Sequence, residues 1–166
     1  MKRVVLGAAL VAAMLTSTAE AATRNANGRA RTVRPITINL TRDLDFGRLI
    51  IAATNGRATI NPRTDARTRT GGVTLAGGGS PGAARFVVSG TPSRPVQVTL
   101  GPRPTLTRVS GSETMTMTAL TMNGGINRTL TVAGTLDLRV GGTLAVSANQ
   151  VAGDYAGTFT VTVDYR

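Results

Sequence analysis

The stretch TFTVTVDY, residues 158–165, decides the fold class. Apolar and polar side chains alternate through it without a break, with Phe159, Val161, Val163 and Tyr165 on one face. This two-residue period is typical of a β-strand with one buried face. A slip of one residue would bury the threonines and the aspartate, so the register of this strand is firmly specified. The stretch therefore predicts an integral strand of a sheet.

Short alternating segments of the same kind recur from residue 36 onward, separated by glycine, proline and asparagine. No window after residue 21 has the 3.6-residue apolar period of a helix. Asn55-Gly56 predicts a tight hairpin turn, and Gly71-Gly72 predicts a bulge or bend within a strand. We count about nine or ten short strands, at a spacing typical of a β-sandwich or barrel. The predicted fold class is therefore all-β.

The N-terminus has the pattern of a secretory signal peptide. Lys2 and Arg3 precede an apolar run over residues 4–15, and Ala19 and Ala21 flank Glu20 as in a cleavage site. The run is shorter than the roughly 20 residues of a membrane-spanning helix. We therefore expect a signal peptide over residues 1–21, a flexible extension over 22–35 and one β-sandwich domain over 36–166. The expected location is the periplasm, the cell surface or the extracellular space.

The chain is strongly basic, with a formal net charge of +11, and every cation after residue 21 is arginine. Such a charge favours acidic partners, for example an acidic glycan or lipopolysaccharide. Export argues against nucleic acid. Arg63, Arg67 and Arg69 form a candidate anion-binding group, because guanidinium pairs well with phosphate and carboxylate. Alternatively they are solvated charges that protect a sheet edge, since no aromatic side chains interleave with them.

The residue types needed for most catalytic and metal sites are missing. The sequence has no histidine and no cysteine, which excludes Ser-His-Asp catalysis, the common zinc sites and disulfides. Asp43 and Asp45 lack the further ligands of a calcium loop. A hydrolase with paired carboxylates would need folding to bring two aspartates together. We therefore expect no enzyme, no cofactor and no metal.

Residues 22–34 are polar and lack a helical period, which predicts a flexible extension. A second interpretation is that the extension is a strand for another sheet, because small residues on one face share the parity of the first predicted strand. These candidate donor-strand residues are Ala26, Gly28, Ala30 and Thr32.

Several stretches carry a family resemblance. The stretches are TRDLDFG at 41–47, TGGVTL at 70–75, ARFVVSG at 84–90 and residues 141–165; the most specific motif is VGGTL at 140–144, followed by Asn149-Gln150 and Gly157-Thr158-Phe159. With them, the chain resembles a family of uncharacterised exported bacterial β-sandwich domains, classed as a domain of unknown function and related to spore coat protein U and to the subunits of archaic chaperone-usher pili.

The resemblance implies an immunoglobulin-like, pilin-like sandwich that serves as a structural subunit of a pilus-like fibre or cell-surface layer. In such subunits, the N-terminal extension of one copy completes the sheet of the next. Carried over here, residues 22–34 would be the donor, and Phe159, Val161, Val163 and Tyr165 would form the acceptor-edge strand. The implied partners are copies of itself or related subunits, a periplasmic chaperone and an outer-membrane usher.

A second hypothesis comes from a different class of protein. The sandwich is complete within one chain, and the protein is a secreted binding module that holds an acidic glycan or a lipid headgroup through its arginines. A gap beside the last strand would favour the structural subunit, and a filled sheet would favour the binding module.

Overall fold

The computed structural model describes residues 22–166 and is all-β over that range, with eleven strands and no helix. The predicted fold class is confirmed, and the strand count of nine or ten is corrected to eleven. Very short strands account for the difference, because pairs and triplets such as Tyr155–Ala156 and Asn127–Thr129 are too short to show a period. The predicted signal peptide, residues 1–21, lies outside the described residues.

The strands form two sheets, and every pairing in them is antiparallel. In chain order the strands are β1 (Thr37–Arg42), β2 (Leu49–Ile60), β3 (Arg67–Leu75), β4 (Ala84–Ser89), β5 (Pro95–Leu100), β6 (Thr105–Arg108), β7 (Thr114–Met122), β8 (Asn127–Thr129), β9 (Thr135–Val146), β10 (Tyr155–Ala156) and β11 (Val161–Tyr165). The eight-stranded sheet has the main order β1-β4-β9-β7-β6-β10, with β2 and β3 branching from β9, and it curls like half of a barrel. The small sheet has the order β11-β5-β8.

β9 is the central strand because it pairs with three others. Its first half pairs with β4 and its second half with β2, while β7 lies along its opposite edge. Gly141 and Gly142 lie where these partners meet, and a side chain on Gly142 would collide with the Ala119 carbonyl oxygen. The glycines therefore allow three backbones to approach closely.

Two apolar cores hold the sheets, and β9 contributes to both. The first lies within the curl of the large sheet: Phe46, Ala58, Ile60, Val73, Ala83, Met115, Met117, Leu144 and Val146. The second joins β4 and the first half of β9 to the small sheet: Val88, Val96, Val98, Leu130, Leu136, Leu138 and Val163. Each fully buried aliphatic side chain of this size contributes roughly 1.5–3 kcal/mol.

The predicted hairpin at Asn55-Gly56 is wrong. β2 continues through both residues, and Gly56 pairs with Gly71 on one side and Val146 on the other. A Cβ on Gly56 would lie 2.6 Å from a methyl of Val73, so this glycine serves close packing and not a turn. The chain instead turns over residues 61–66, after β2 ends.

The irregularity predicted at Gly71-Gly72 is confirmed. The register between β2 and β3 shifts after Ile51, and β3 passes through Gly72 at that place. Gly71 has a φ of 68°, in the left-handed region that glycine adopts without strain. The shift allows the long strand β2 to pair with both β3 and β9.

Candidate functional site

Five of the described strands have an edge without a partner, and two of them, β1 and β11, lie at the ends of different sheets. Within residues 22–166, β1 pairs only with β4, and β11 pairs only with β5. The alternation predicted for the last strand holds: Val163 is buried, Phe159, Val161 and Tyr165 are half-buried, and the intervening polar residues are exposed. Regular pairing begins at Val161, three residues later than the alternation itself.

The Tyr165 hydroxyl fixes the end of β11 beside the start of β1. It donates to the Arg34 carbonyl oxygen at 2.7 Å and accepts from the Thr91 backbone N–H at 2.6 Å. The Arg34 N–H in turn donates to the Thr91 hydroxyl at 2.7 Å. At the other end, Leu40 of β1 and Phe159 before β11 line one cleft. The two free edges therefore run side by side in opposite directions.

The first cleft, of about 360 Å³, opens between the end of β1 and the residues that precede β11. Phe86 of β4 and Phe159 meet across it edge to face, with ring centroids 6.3 Å apart, an arrangement that stabilises the contact beyond simple burial. Leu40 on its rim is 54% exposed. The lining is Leu40, Asp43, Leu44, Phe46, Ala84, Phe86, Pro104, Leu106, Met117 and residues 155–159.

Apolar side chains continue along the two free edges beyond this cleft. Ile36 and Ile38 on the β1 side, and Val161 and Tyr165 on the β11 side, pack against the second core but stay partly exposed. The centre of the same core is fully covered, as the 0% exposure of Val98 shows. The second core is therefore uncovered along the line between β1 and β11, which is the kind of apolar strip that marks an interaction surface.

A second cleft, of about 460 Å³, adjoins the first. It lies between residues 48–51 and residues 151–155, and its lining includes Asp45 and Asp154. The residues that line both clefts are Leu44, Phe46, Leu106 and Tyr155.

The candidate donor residues lie in a segment without regular structure. Residues 22–36 contain no strand, and Ala26, Gly28, Ala30 and Thr32 are all exposed. The compact domain begins at Thr32, a few residues before β1.

The candidate anion-binding arginines have different surroundings. Arg67 donates its guanidinium hydrogens to the carbonyl oxygens of Phe46 at 3.0 Å, Arg48 at 3.3 Å and Ala76 at 2.7 Å, and so holds two loops together. Arg63 lies in the turn after β2, Arg69 lies on β3, and both are exposed. Most of the donor capacity of Arg67 is thus already used within the domain.

Asp65 forms an ion-pair cluster that sequence reasoning missed. Its carboxylate pairs with Arg42 and Arg85 and accepts the Ala83 N–H at 2.9 Å. Partial burial raises the pKa of Asp65, but the hydrogen bonds from Ala83, Arg85 and Arg42 outweigh it and lower this pKa to about 2. No local pattern signals the cluster, because its members come from the turn at 61–66, β1 and β4.

Metal-ligand clusters and membrane-spanning helices are both absent from the part of the chain that the structure describes. Residues 22–166 contain no group of three or more carboxylates placed to hold a metal ion. Over the same residues, no helix is long and apolar enough to cross a membrane.

Comparison with known proteins gives one match. The model of a family described as a domain of unknown function (DUF4402) matches residues 36–165. The expectation of a family classed as a domain of unknown function is thereby confirmed. No curated protein and no solved structure matches the chain.

Proposed function

This chain belongs to the DUF4402 family of domains of unknown function, and on that premise we propose that it is an exported, non-enzymatic structural subunit. It assembles into a pilus-like fibre or cell-surface layer by β-strand donation, in which an extended segment of one copy adds to the sheet of another. In this proposal the domain is an immunoglobulin-like, pilin-like sandwich, and its family is related to spore coat protein U and to archaic chaperone-usher pilus subunits.

One observation carries the proposal: an apolar strip lies between two unpartnered strand edges, β1 and β11. A strand placed there would gain backbone hydrogen bonds, each contributing about 0.5–1.5 kcal/mol. It would also cover apolar side chains such as Leu40 and Val161 that are now partly exposed.

The donor segment proposed is residues 22–31 of a second copy, because Thr32 to Arg34 belong to the compact domain of their own chain. Because Phe86 and Phe159 already meet across the cleft, a strand above them needs only small side chains facing inward. Ala26, Gly28 and Ala30 supply such side chains on one face of an extended chain.

Further partners belong to the same proposal. They are copies of this chain or related subunits, a periplasmic chaperone that covers the strip before assembly, and an outer-membrane usher. The alternative, a self-complete module for acidic glycan or lipid headgroups, has weaker support because Arg67 is engaged with carbonyl oxygens of its own domain.

The test is a pair of charge-neutral substitutions in the full chain, recovered after export. Ala26→Gln together with Ala30→Gln places bulky amides on the inward face, where they cannot be buried without partners. The matched control, Asn25→Gln with Asn27→Gln, alters the opposite face. We expect polymers, measured by size-exclusion chromatography with light scattering, to be lost only in the first variant.

A second measurement keeps the test decisive. Deletion of residues 22–31 should abolish polymers while circular dichroism still reports a folded β protein. If the unaltered protein remains monomeric at every concentration, and the deletion changes neither its size nor its stability, strand donation is wrong.

A further inference from the structure

The acidic residues divide into two groups by their partners. Asp65, Glu113 and Asp137 form ion pairs with arginines of the same domain. Within residues 22–166, the remaining carboxylates have no arginine at ion-pair distance, in a protein whose formal net charge is +11. They are Asp43, Asp45, Asp154 and Asp164.

The unpaired carboxylates lie where the domain is open. Asp43 lines the first cleft, and Asp45 and Asp154 line the second. Asp164 is exposed on β11, the strand with the free edge. Asp45 accepts the Gly47 N–H and so has a local structural role. Asp154 lines only the second cleft, which lies away from the two free edges. Asp43 and Asp164 remain, one near each end of the line along which the free edges run.

The extension has the opposite charge in a matching pattern. Arg24 lies near its start and Arg29 and Arg31 near its end, with the small residues between them. Fully extended, Arg24 to Arg31 spans about 23 Å, and Phe159 to Asp164 spans about 17 Å, at roughly 3.3 Å per residue. Arg29 and Arg31 lie on the outward face of such a strand, as Asp164 does on β11, whereas Arg24 shares the inward face with Ala26. The match therefore favours one direction, with Arg31 near Asp164 and Arg24 near Asp43 at the first cleft.

We propose that Asp43 and Asp164 select the arginine-bearing extension of a second copy as the occupant of the strip between β1 and β11. This inference rests on the function proposed above and adds the partner segment and the basis of its recognition. Side chains on neighbouring strands lie about 4.5–5.5 Å apart at Cβ, close enough for an arginine on the added strand to pair with Asp164.

Complementary charges would offset the repulsion between two copies of this chain. Two copies with a high net charge of the same sign repel each other as they approach. Exposed ion pairs contribute only about 0.2–1 kcal/mol each, but complementary charge raises the association rate and disfavours wrong partners. The carboxylates thus fix which segment enters, while the apolar strip and the backbone bonds hold it.

The test is charge reversal in two separate full-length chains. One chain carries Asp43→Arg and Asp164→Arg, and the other carries Arg24→Glu, Arg29→Glu and Arg31→Glu. Each chain alone opposes like charges at the strip, so we expect polymer formation at low salt to fall about tenfold. An equimolar mixture should restore polymers, because each extension then meets a strip of opposite charge.

The matched control reverses three exposed arginines away from the strip: Arg57→Glu, Arg63→Glu and Arg69→Glu. It changes the net charge as much as the reversed extension does, and it should assemble like the unaltered protein. If one reversed chain folds poorly, a single chain carrying all five reversals at the strip and extension should still assemble alone.

Two outcomes would overturn the inference. If the reversed chains assemble normally while deletion of residues 22–31 still abolishes polymers, strand donation stands and charge recognition is wrong. If the equimolar mixture does not form polymers, the strip is not filled by the extension of a second copy. That result would be expected if each extension filled the strip of its own chain.

Discussion

Asp65 is a single residue that connects three segments of the domain. It lies in the turn at 61–66 and pairs with Arg42 at the end of β1 and Arg85 on β4. Because a partly buried carboxylate between two guanidinium groups forms charge-assisted hydrogen bonds, it ties the turn after β2 to the strand beside the first cleft.

Replacing Asp65 tests this role. The pKa of Asp65 is about 2 in the folded protein and 3.8 ordinarily, so the stabilisation is complete above pH 3.8 and is lost as the pH falls toward 2. We expect Asp65→Asn to lower the free energy of unfolding by about 1–3 kcal/mol at neutral pH. The variant should also lose part of the acid sensitivity in that pH window, measured by urea unfolding across a pH series.

Asp137→Asn is the matched control, because Asp137 pairs with Arg139 while 56% of its side chain remains exposed. The Asp137→Asn substitution should lower the free energy of unfolding by less than about 1 kcal/mol. Equal acid sensitivity of the Asp65→Asn variant and the unaltered protein would contradict the role given to Asp65.

Burial of single residues could be predicted where a two-residue period decides it. The alternation in β11 predicted the apolar face that includes the buried Val163. Asp65 could not be predicted, because its partners are brought to it by pairing between distant strands. The hairpin prediction at Asn55-Gly56 was wrong because pairing on both edges of β2, with β3 and β9, outweighs the local preference of these two residues for a turn.

Among the elements, β9 is the one on which the others depend. Its partner on one edge changes from β4 to β2, and the change falls at Gly141 and Gly142. Local sequence predicts a strand there but not the exchange of partners, because the exchange depends on strands far apart in the chain.

Substitution of Gly142 tests the close approach at β9. A methyl group there meets the Ala119 carbonyl oxygen and the end of the Met117 side chain, so Gly142→Ala should cost about 1–3 kcal/mol through overpacking. Gly125→Ala is the control, since nothing lies within 4 Å of its added Cβ. Thermal unfolding would measure both variants. Similar melting temperatures would show that packing at position 142 does not require glycine.

For the whole molecule, the proposed assembly predicts a difference in exposed apolar surface between monomer and polymer. A monomeric Ala26→Gln, Ala30→Gln variant leaves the strip between β1 and β11 uncovered, and should bind an apolar fluorescent dye. The polymer of the unaltered protein should bind less dye per chain, because donated strands cover Leu40, Phe86 and Phe159. Equal dye fluorescence per chain in the two samples would contradict a covered strip.

The candidate site could be predicted only in part at this scale. The apolar face of the last strand follows from residues 158–165 alone. That β1 and β11 each have an open edge, and that these edges run side by side, depends on all the strand pairings together. The unpaired carboxylates could not be predicted from the sequence either, because whether an acidic residue forms an ion pair depends on where the fold places the arginines.

The Tyr165 hydroxyl has a mechanical consequence. A pull on the chain before Thr32 would reach the domain at Arg34, whose carbonyl is held by Tyr165 and whose N–H is held by the Thr91 hydroxyl. Tyr165 belongs to the small sheet, and Thr91 follows the strand that pairs with β1 in the large one. The load would be divided between both sheets before the bonds between β1 and β4 bear it, so β1 would resist peeling from its end.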